Sequence, residues 1–424
     1  MMSIKAILIG AGVRGANVYA PYALKYPDEL TFVAVAEPDE ERRTSFARKH
    51  GIPAEHQYKD WKEALNQARY ADAVMICTHD RMHFEQAMNA LDLGYHVLLE
   101  KPISPFPKEC LAMEKRAKEK GRLLTICHVL RYTPFWSTIN RLIRRGDIGN
   151  IISIQLTEHI GFAHMAHSYV RGQWNQAEQS SPLILSKSCH DLDLIAWLMG
   201  QECTRISSFG SLSHFRREHA PAGAKERCSD GCPHLDTCCY ADFRYYLGDG
   251  RRHAAHFTED LSDEGILKAL PHTPYGRCVY ACDNDVVDHQ IVNMEFHSGA
   301  TAAFHLSAFT HDSTRRVHIM GTHGEIQGNL SEQTFTVYDF ATGNENRVQV
   351  QDGGKEGTEA MLREFCRHVR QHHAASALTS VEASIQSHMM AFAAEHSRIS
   401  QGAVVDLPLF IEQHKHQVLA EACR

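Results

Sequence analysis

An α/β domain with a parallel sheet, followed by an α+β domain on a large, mostly antiparallel open sheet, is the fold class that three features of this sequence predict. The first is the glycine-spaced run Gly10-Ala11-Gly12-Val13-Arg14-Gly15, set between an apolar strand and a helix. The second is an alternation, over the first third of the chain, of short apolar runs with charged amphipathic stretches. Such alternation marks βαβ units whose strands are buried on both faces. The third is a change of texture after about Arg131 to strand-like runs divided by turn signals such as Ser298-Gly299 and Thr342-Gly343.

Taken in order, Ile4 to Ile9 reads as the first strand, a helix runs to about Lys25, and Leu30 to Ala36 is the second strand. Ala73 to Cys77, His96 to Leu99 and Leu123 to Cys127 continue the sheet, with helices over Asp39 to His50, His83 to Leu93 and Pro107 to Lys120. Residues 1–130 are thus expected to form a Rossmann domain. Beyond it come a helix, Phe135 to Arg145, a strand, Ile151 to Glu158, and a helix, Ser188 to Met199, stopped by Gly200. Val286 to Phe296, Thr301 to Ala308, Arg316 to Met320, Thr334 to Asp339 and Arg347 to Gln351 read as meandering strands. Two helices, Gly357 to Arg370 and Ser380 to Ser400, are expected to close a second domain over residues 131–424, with a cysteine-rich insertion at about 213–282.

The 424 residues are 43% hydrophobic and 22% charged, ordinary for a globular chain of two domains. A net charge of -7 argues against a nucleic-acid partner, which requires basic stripes. The pairs Arg144-Arg145, Arg216-Arg217 and Arg315-Arg316 read as solvated or locally paired surface. No apolar run approaches the roughly 20 residues that cross a bilayer, so no membrane association is expected. The first residues show no signal peptide, so a cytoplasmic location is expected, with reduced thiols. With 29 histidines in the chain, a lone histidine carries little weight.

The glycine loop has a specific physical logic. Gly10 permits the tight turn, Gly12 lets a pyrophosphate approach the backbone, and Gly15 lets helix and strand pack closely. Val13 and Arg14 open the helix, whose free N–H groups and dipole attract phosphate. Glu37 ends the second strand 22 residues beyond Gly15, where a carboxylate accepts from the adenosine ribose hydroxyls and repels a 2′-phosphate. NAD is therefore expected over NADP, with Arg42 and Arg43 as a slight counterweight. Glu100-Lys101-Pro102 directly follows the strand His96 to Leu99, at the sheet edge where ligands of open α/β sheets lie. Lys101 is thereby expected to face the nicotinamide end, and Pro102 is a candidate for a cis bond.

These residues, with Cys77-Thr78, His83 and Ser188-Cys189-His190-Asp191-Leu192-Asp193, make the chain resemble the Gfo/Idh/MocA family of sugar and cyclitol oxidoreductases over nearly its whole length. The resemblance implies hydride transfer between a sugar-like alcohol and NAD(P), with Lys101 and His190 on the reacting hydroxyl. It implies that Thr78, His83, Glu100 and Lys101 line the cofactor, and that the second-domain sheet joins subunits into a homodimer or homotetramer. The chemistry agrees: oxidising a secondary alcohol needs a base, for which histidine is suited, and a cation to stabilise the developing alkoxide. Many family dehydrogenases carry an aspartate four residues before the histidine, where this chain has Ser186. Lys187 beside it would bind an acidic sugar, or else face solvent or stand ion-paired. Further candidates for substrate contact are His128, Arg131, Tyr132, Tyr169, Arg171 and Trp174, whose rings and donors suit a small carbohydrate. Core or surface roles compete for each. The missing aspartate and the two tyrosines leave open a redox-neutral, NAD-dependent glycosidase. A non-catalytic NAD-binding sensor is the remaining alternative.

Cys228, Cys232, Cys238 and Cys239 fall within one turn-rich stretch, and Cys278 and Cys282 begin the next segment. Two such clusters can assemble a tetrahedral thiolate site. The expectation is a structural zinc held by Cys228, Cys232, Cys238 and Cys278, with Cys282 as an alternative ligand. Free thiols, disulfides and an iron–sulfur cluster are the alternatives.

Overall fold

The structure, a computed structural model, describes residues 3–351, 354–371 and 377–422. Six strands, β1 (Ile4–Ile9), β2 (Leu30–Ala36), β3 (Gln57–Tyr58), β4 (Ala73–Ile76), β5 (His96–Leu99) and β6 (Leu124–Ile126), form one sheet in the order β3-β2-β1-β4-β5-β6. Every neighbouring pair is parallel. The order reverses between β1 and β4, which creates a crevice at their carboxyl ends. β4, β5 and β6 are buried along their whole length, as strands covered on both faces must be.

The second sheet has nine strands in the order β14-β13-β12-β11-β7-β10-β9-β8-β15. They are β7 (Ile151–His159), β8 (Cys203–Ser211), β9 (His289–Phe296), β10 (Thr301–Ser307), β11 (Thr314–Gly321), β12 (Gly324–Asn329), β13 (Thr334–Asp339), β14 (Glu345–Gln349) and β15 (Val405–Asp406). Only β7 and β10 run parallel; the other pairs are antiparallel. Alternate residues of β9 and β10, among them Val292, Met294, Phe304 and Leu306, are buried under helices. The intervening residues, including Ile291 and His305, face outward.

Three expectations change. β8 and β12 were not visible in the sequence. β8 is rich in serine, and β12 carries Gly328, where a Cβ would come within 2.9 Å of Phe135 and Phe335. Three helices, not two, close the chain, because Leu407–Ala422 follows Val381–Ile399. The third change concerns the helix Gly354–Gln371. Its Met361, Leu362, Phe365 and Cys366 pack with Ile4, Leu8 and Leu98, in the core of the first domain. The chain thus returns to the cofactor domain, where the backbone N–H of Ile126 at the β6 edge also donates to Thr379 O at 2.8 Å. A second core runs continuously from Ile7, Val74 and Val97 to Leu156 and Phe304, so both sheets share one interior.

Candidate active site

The glycine loop leaves the carboxyl end of β1 with Gly10 at a φ of 90°, a conformation that disfavours a side chain. A Cβ at Gly10 would lie 2.7 Å from Cys77 O, and one at Gly15 would lie 2.2 Å from Gly10 O. The fold itself therefore demands both glycines. Gly12 differs, because a Cβ there would meet nothing within 4 Å. No protein atom requires glycine at that position, and the open space above it fits a dinucleotide pyrophosphate. The following helix begins with a π-helical segment, Val13–Tyr19, with Ala20 N donating to Gly15 O. Glu37 is buried at the end of β2 and accepts from the N–H groups of Ala11 (2.8 Å) and Asp39 (3.1 Å). Arg43 is buried with its guanidinium on Glu37 O and Pro38 O, so it is not free to receive a 2′-phosphate.

Glu100 and Lys101 follow β5. The Glu100 carboxylate accepts from Tyr19 Oη and, at 2.8 Å, from the Lys101 N–H, with Arg14 Nε at 3.7 Å. It thus ties the lysine turn to the glycine helix. The Lys101–Pro102 bond is cis. His83 is buried between two turns, Nδ1 on Pro102 O at 2.8 Å and Nε2 on Thr78 O at 3.2 Å. It braces the cofactor loops with both nitrogens already engaged, and Thr78 Oγ1 donates to Gln86 Oε1. The half-buried Lys101 ammonium donates to Ser186 O at 2.7 Å. The ammonium is thus held by a backbone carbonyl rather than by a carboxylate.

His190 opens the helix Cys189–Met199. Its Nδ1 lies 3.4 Å from Nδ1 of fully buried His128, and the two share one hydrogen. His128 Nε2 lies 3.6 Å from Asp193 Oδ1, within Coulombic reach. Asp193 in turn takes a bidentate pair from Arg131, at 2.7 and 2.6 Å. A tautomer in which His128 presents Nε2–H to the carboxylate and accepts the Nδ1–H of His190 leaves His190 Nε2 as a free base. His388 packs on His128, its Nδ1 donating to Ser384 O and its Nε2 accepting the Ile103 N–H, which fixes its neutral tautomer. Burial first, then Lys101 and His128, hold His190 well below the usual histidine range. Burial, then Arg131, lowers His128, and burial brings His388 to about 3.

These depressed values have a thermodynamic consequence. The unfolded chain binds protons at these three histidines near pH 6.5 while the folded chain does not, so their contribution is complete above that pH and is lost as pH falls. Each costs about 1.4 kcal/mol per pH unit below 6.5. At pH 5.5 the protein is expected to be about 4 kcal/mol less stable from these groups than at pH 7.5. Urea unfolding at the two pH values measures it, and equal midpoints would refute it.

The remaining candidates divide. Lys187 is not free: its ammonium sits 2.9 Å from Glu158 Oε1, and Arg315 bridges Glu158 (3.0 Å) and Asp191 (2.7 Å). This four-charge network buttresses the His190 turn, and burial pushes Asp191 up to about 6 against the pull of Arg315. Arg315 faces inward while Arg316 is exposed, since neighbours on a strand point to opposite faces. The expectation of a solvated or locally paired surface residue is corrected for Arg315, whose partners come from distant segments. Tyr169 is buried with its ring 6.3 Å from that of half-buried Trp174, and burial raises its phenol. Three expectations of substrate contact are corrected. Arg131 is spent on Asp193 and on Leu378 O and Ala383 O. Tyr132 donates to Glu364, and Arg171 is buried with its guanidinium on Arg277 O and Tyr240 O. In each case a long-range packing partner claims the polar group. Sequence reasoning missed Glu158, Arg315 and His388 entirely; Asp193 lay in a quoted motif but carried no role.

Cys228, Cys232, Cys238 and Cys278 line one small cavity, and every described cysteine is free. Among the described residues, no group of three or more His, Cys, Asp or Glu side chains converges as a metal site, and no helix is long and apolar enough to cross a membrane.

Comparison with known proteins follows the same division of the chain. Residues 4–128 match the model of an oxidoreductase family with an NAD-binding Rossmann fold, and residues 140–406 match that family's C-terminal alpha/beta domain. A putative oxidoreductase, YteT, of Bacillus subtilis is 26% identical over 69% of this chain and 71% of its own length. A 2,7-anhydro-N-acetylneuraminate hydratase of Escherichia coli is 28% identical over 36% of this chain and 40% of its own length. A levoglucosan dehydrogenase solved with NADH and levoglucosan superposes with a TM-score of 0.71, at 18% identity, over 96% of this chain and 100% of that one.

Proposed function

The chain belongs to the Gfo/Idh/MocA oxidoreductase family, and on that premise we propose that it is an NAD-dependent dehydrogenase of a secondary hydroxyl on a neutral sugar, glycoside or cyclitol. The observation that carries the reading is the placement of the Lys101 ammonium on Ser186 O at 2.7 Å, on the turn that leads into the helix presenting His190. When bound, NAD supplies the hydride acceptor. Gly10, Gly12 and Gly15 would hold its pyrophosphate, and Glu37 would accept from its ribose. Val13, Arg14, Thr78 and Glu100 would line the cofactor, while His83 acts through the loops it braces. His190 Nε2 takes the hydroxyl proton, and Lys101 stabilises the oxygen as charge develops on it. Tyr169 and Trp174 would present apolar faces to the ring. A neutral substrate is favoured because Glu158 already answers the Lys187 charge.

NAD is favoured over NADP by Glu37 and by the engagement of Arg43. A cytoplasmic location is supported by the free described cysteines. Assembly as a homodimer or homotetramer through the second sheet is supported by its outward-facing Ile291 and Phe209.

A redox-neutral reaction is the second reading, favoured by Ser186 in place of an acid and by the similarity to a hydratase. One assay separates the two. The protein is incubated with NAD and a panel of pyranoses, anhydrosugars, cyclitols and aryl glycosides. The dehydrogenase reading expects NADH to accumulate in step with ketone product. Release of aglycone, or addition of water, without net NADH would establish the second reading instead.

A further inference from the structure

The cysteine cavity lies apart from the glycine loop and His190, in an insertion that has little to hold it together. Between Ser211 and His289 the backbone forms only short helical turns, and its own core is Tyr246, Ala254, Ile266 and Leu270. Yet this insertion packs on the body of the second domain, where His253 stacks on His167 with ring centroids 4.9 Å apart. A segment with so small a core needs a further cross-link to keep such positions.

We propose that Cys228, Cys232, Cys238 and Cys278 bind one zinc ion as four thiolates, and that this ion clamps the insertion. The two segments already lie side by side. Arg227 and Arg277 form an antiparallel bridge, and Cys278 N donates to Glu226 O at 2.9 Å, so Cys228 and Cys278 leave the bridge together. The cavity that the four side chains line has room for one small guest, with a volume of about 20 Å³. The alternative ligand of the sequence reading separates from the set: Cys282 Sγ is turned onto Cys278 O at 3.3 Å and does not line the cavity. Cys239 is exposed and does not line it either.

Charge supports the same assignment. Four thiolates around a divalent ion carry a net charge of about 2−. Buried Arg171 lies on the cavity wall, its guanidinium fixed to Arg277 O and Tyr240 O, one from each segment. It thus both joins the segments and offsets the anion. Binding of the ion would draw the four thiols together, each releasing its proton to solvent as its metal–sulfur bond forms.

The test uses the full chain, purified without a histidine tag and dialysed into metal-free buffer. Elemental analysis is expected to find about one zinc per chain. Cobalt-loaded protein is expected to show the visible bands of tetrahedral cobalt thiolate. Cys232→Ser and Cys278→Ser should each lose the metal, while Cys239→Ser and Cys282→Ser keep it. Should the first two fail to fold, titrating wild-type thiols with an organomercurial while following zinc release decides the matter, with about four thiols expected per ion. Wild-type protein with these thiols reactive and no zinc, iron with sulfide in its place, or metal retained by Cys278→Ser would overturn the proposal.

Discussion

Lys101→Ala is expected to turn over substrate at least about 10³-fold more slowly than the wild-type protein, with NAD affinity changed less than about threefold. The ammonium donates to Ser186 O, four residues before His190, and on the proposed reading it stands beside the hydroxyl that must lose a proton. Removing one preorganised donor from a developing oxyanion costs about 10²–10³ in rate. Loss of proton-transfer assistance adds to that. The cofactor cradle is left standing, because Glu100 keeps Tyr19 and Arg14, and Glu37 keeps the Ala11 N–H. Steady-state kinetics with NAD binding measured by fluorescence separate the two effects. A kcat within tenfold of wild type would remove Lys101 from the chemistry.

Arg131→Met is expected to lower folding stability by about 3–5 kcal/mol, the cost of stranding one partner of a buried ion pair. Its guanidinium answers both oxygens of Asp193 and two backbone carbonyls, on groups nearly inaccessible to water. Without it Asp193 faces the full effect of burial, which already raises its carboxyl against the pull of Arg131. The double variant Arg131→Met, Asp193→Leu is expected to recover most of that stability, since an apolar pair leaves no charge stranded. It should not recover activity, because His128 then loses the carboxylate that selects its tautomer. Thermal unfolding and kcat measured on both variants check the two halves. A single variant as stable as wild type would show that the pair is not needed for folding.

The contrast between these residues shows where sequence was legible. Lys101 was found because a strand end followed by a charged turn has one place to go in an open parallel sheet. Gly10 was found because the tight turn after β1 needs a positive φ, and Gly15 because a Cβ there would meet the Gly10 carbonyl within the same strand–turn–helix. His190 was singled out by the resemblance of Ser188-Cys189-His190-Asp191-Leu192-Asp193 to the family's motif. Arg131 lay in the same stretch as His128 and looked equally suited to substrate, and nothing local distinguishes them. Asp193, 62 residues onward, claims Arg131 entirely, while His128 remains beside His190.

The sequence alone determined five of the six strands of the first sheet, the dinucleotide loop, and where Glu37, Lys101 and His190 stand. The loop, Glu37 and Lys101 follow from periodicity and turn chemistry acting over a few residues, and His190 from the resemblance of its motif to the family's. Tertiary structure decided the rest. It sent the helix Gly354–Gln371 back into the first domain, set His388 against Ile103 across 285 residues, and paired Arg315 of β11 with Glu158 of β7. It also drew Cys278 alongside Cys228. Such contacts join segments distant in the chain, so they depend on which apolar faces pack together and on which buried charges must then find partners.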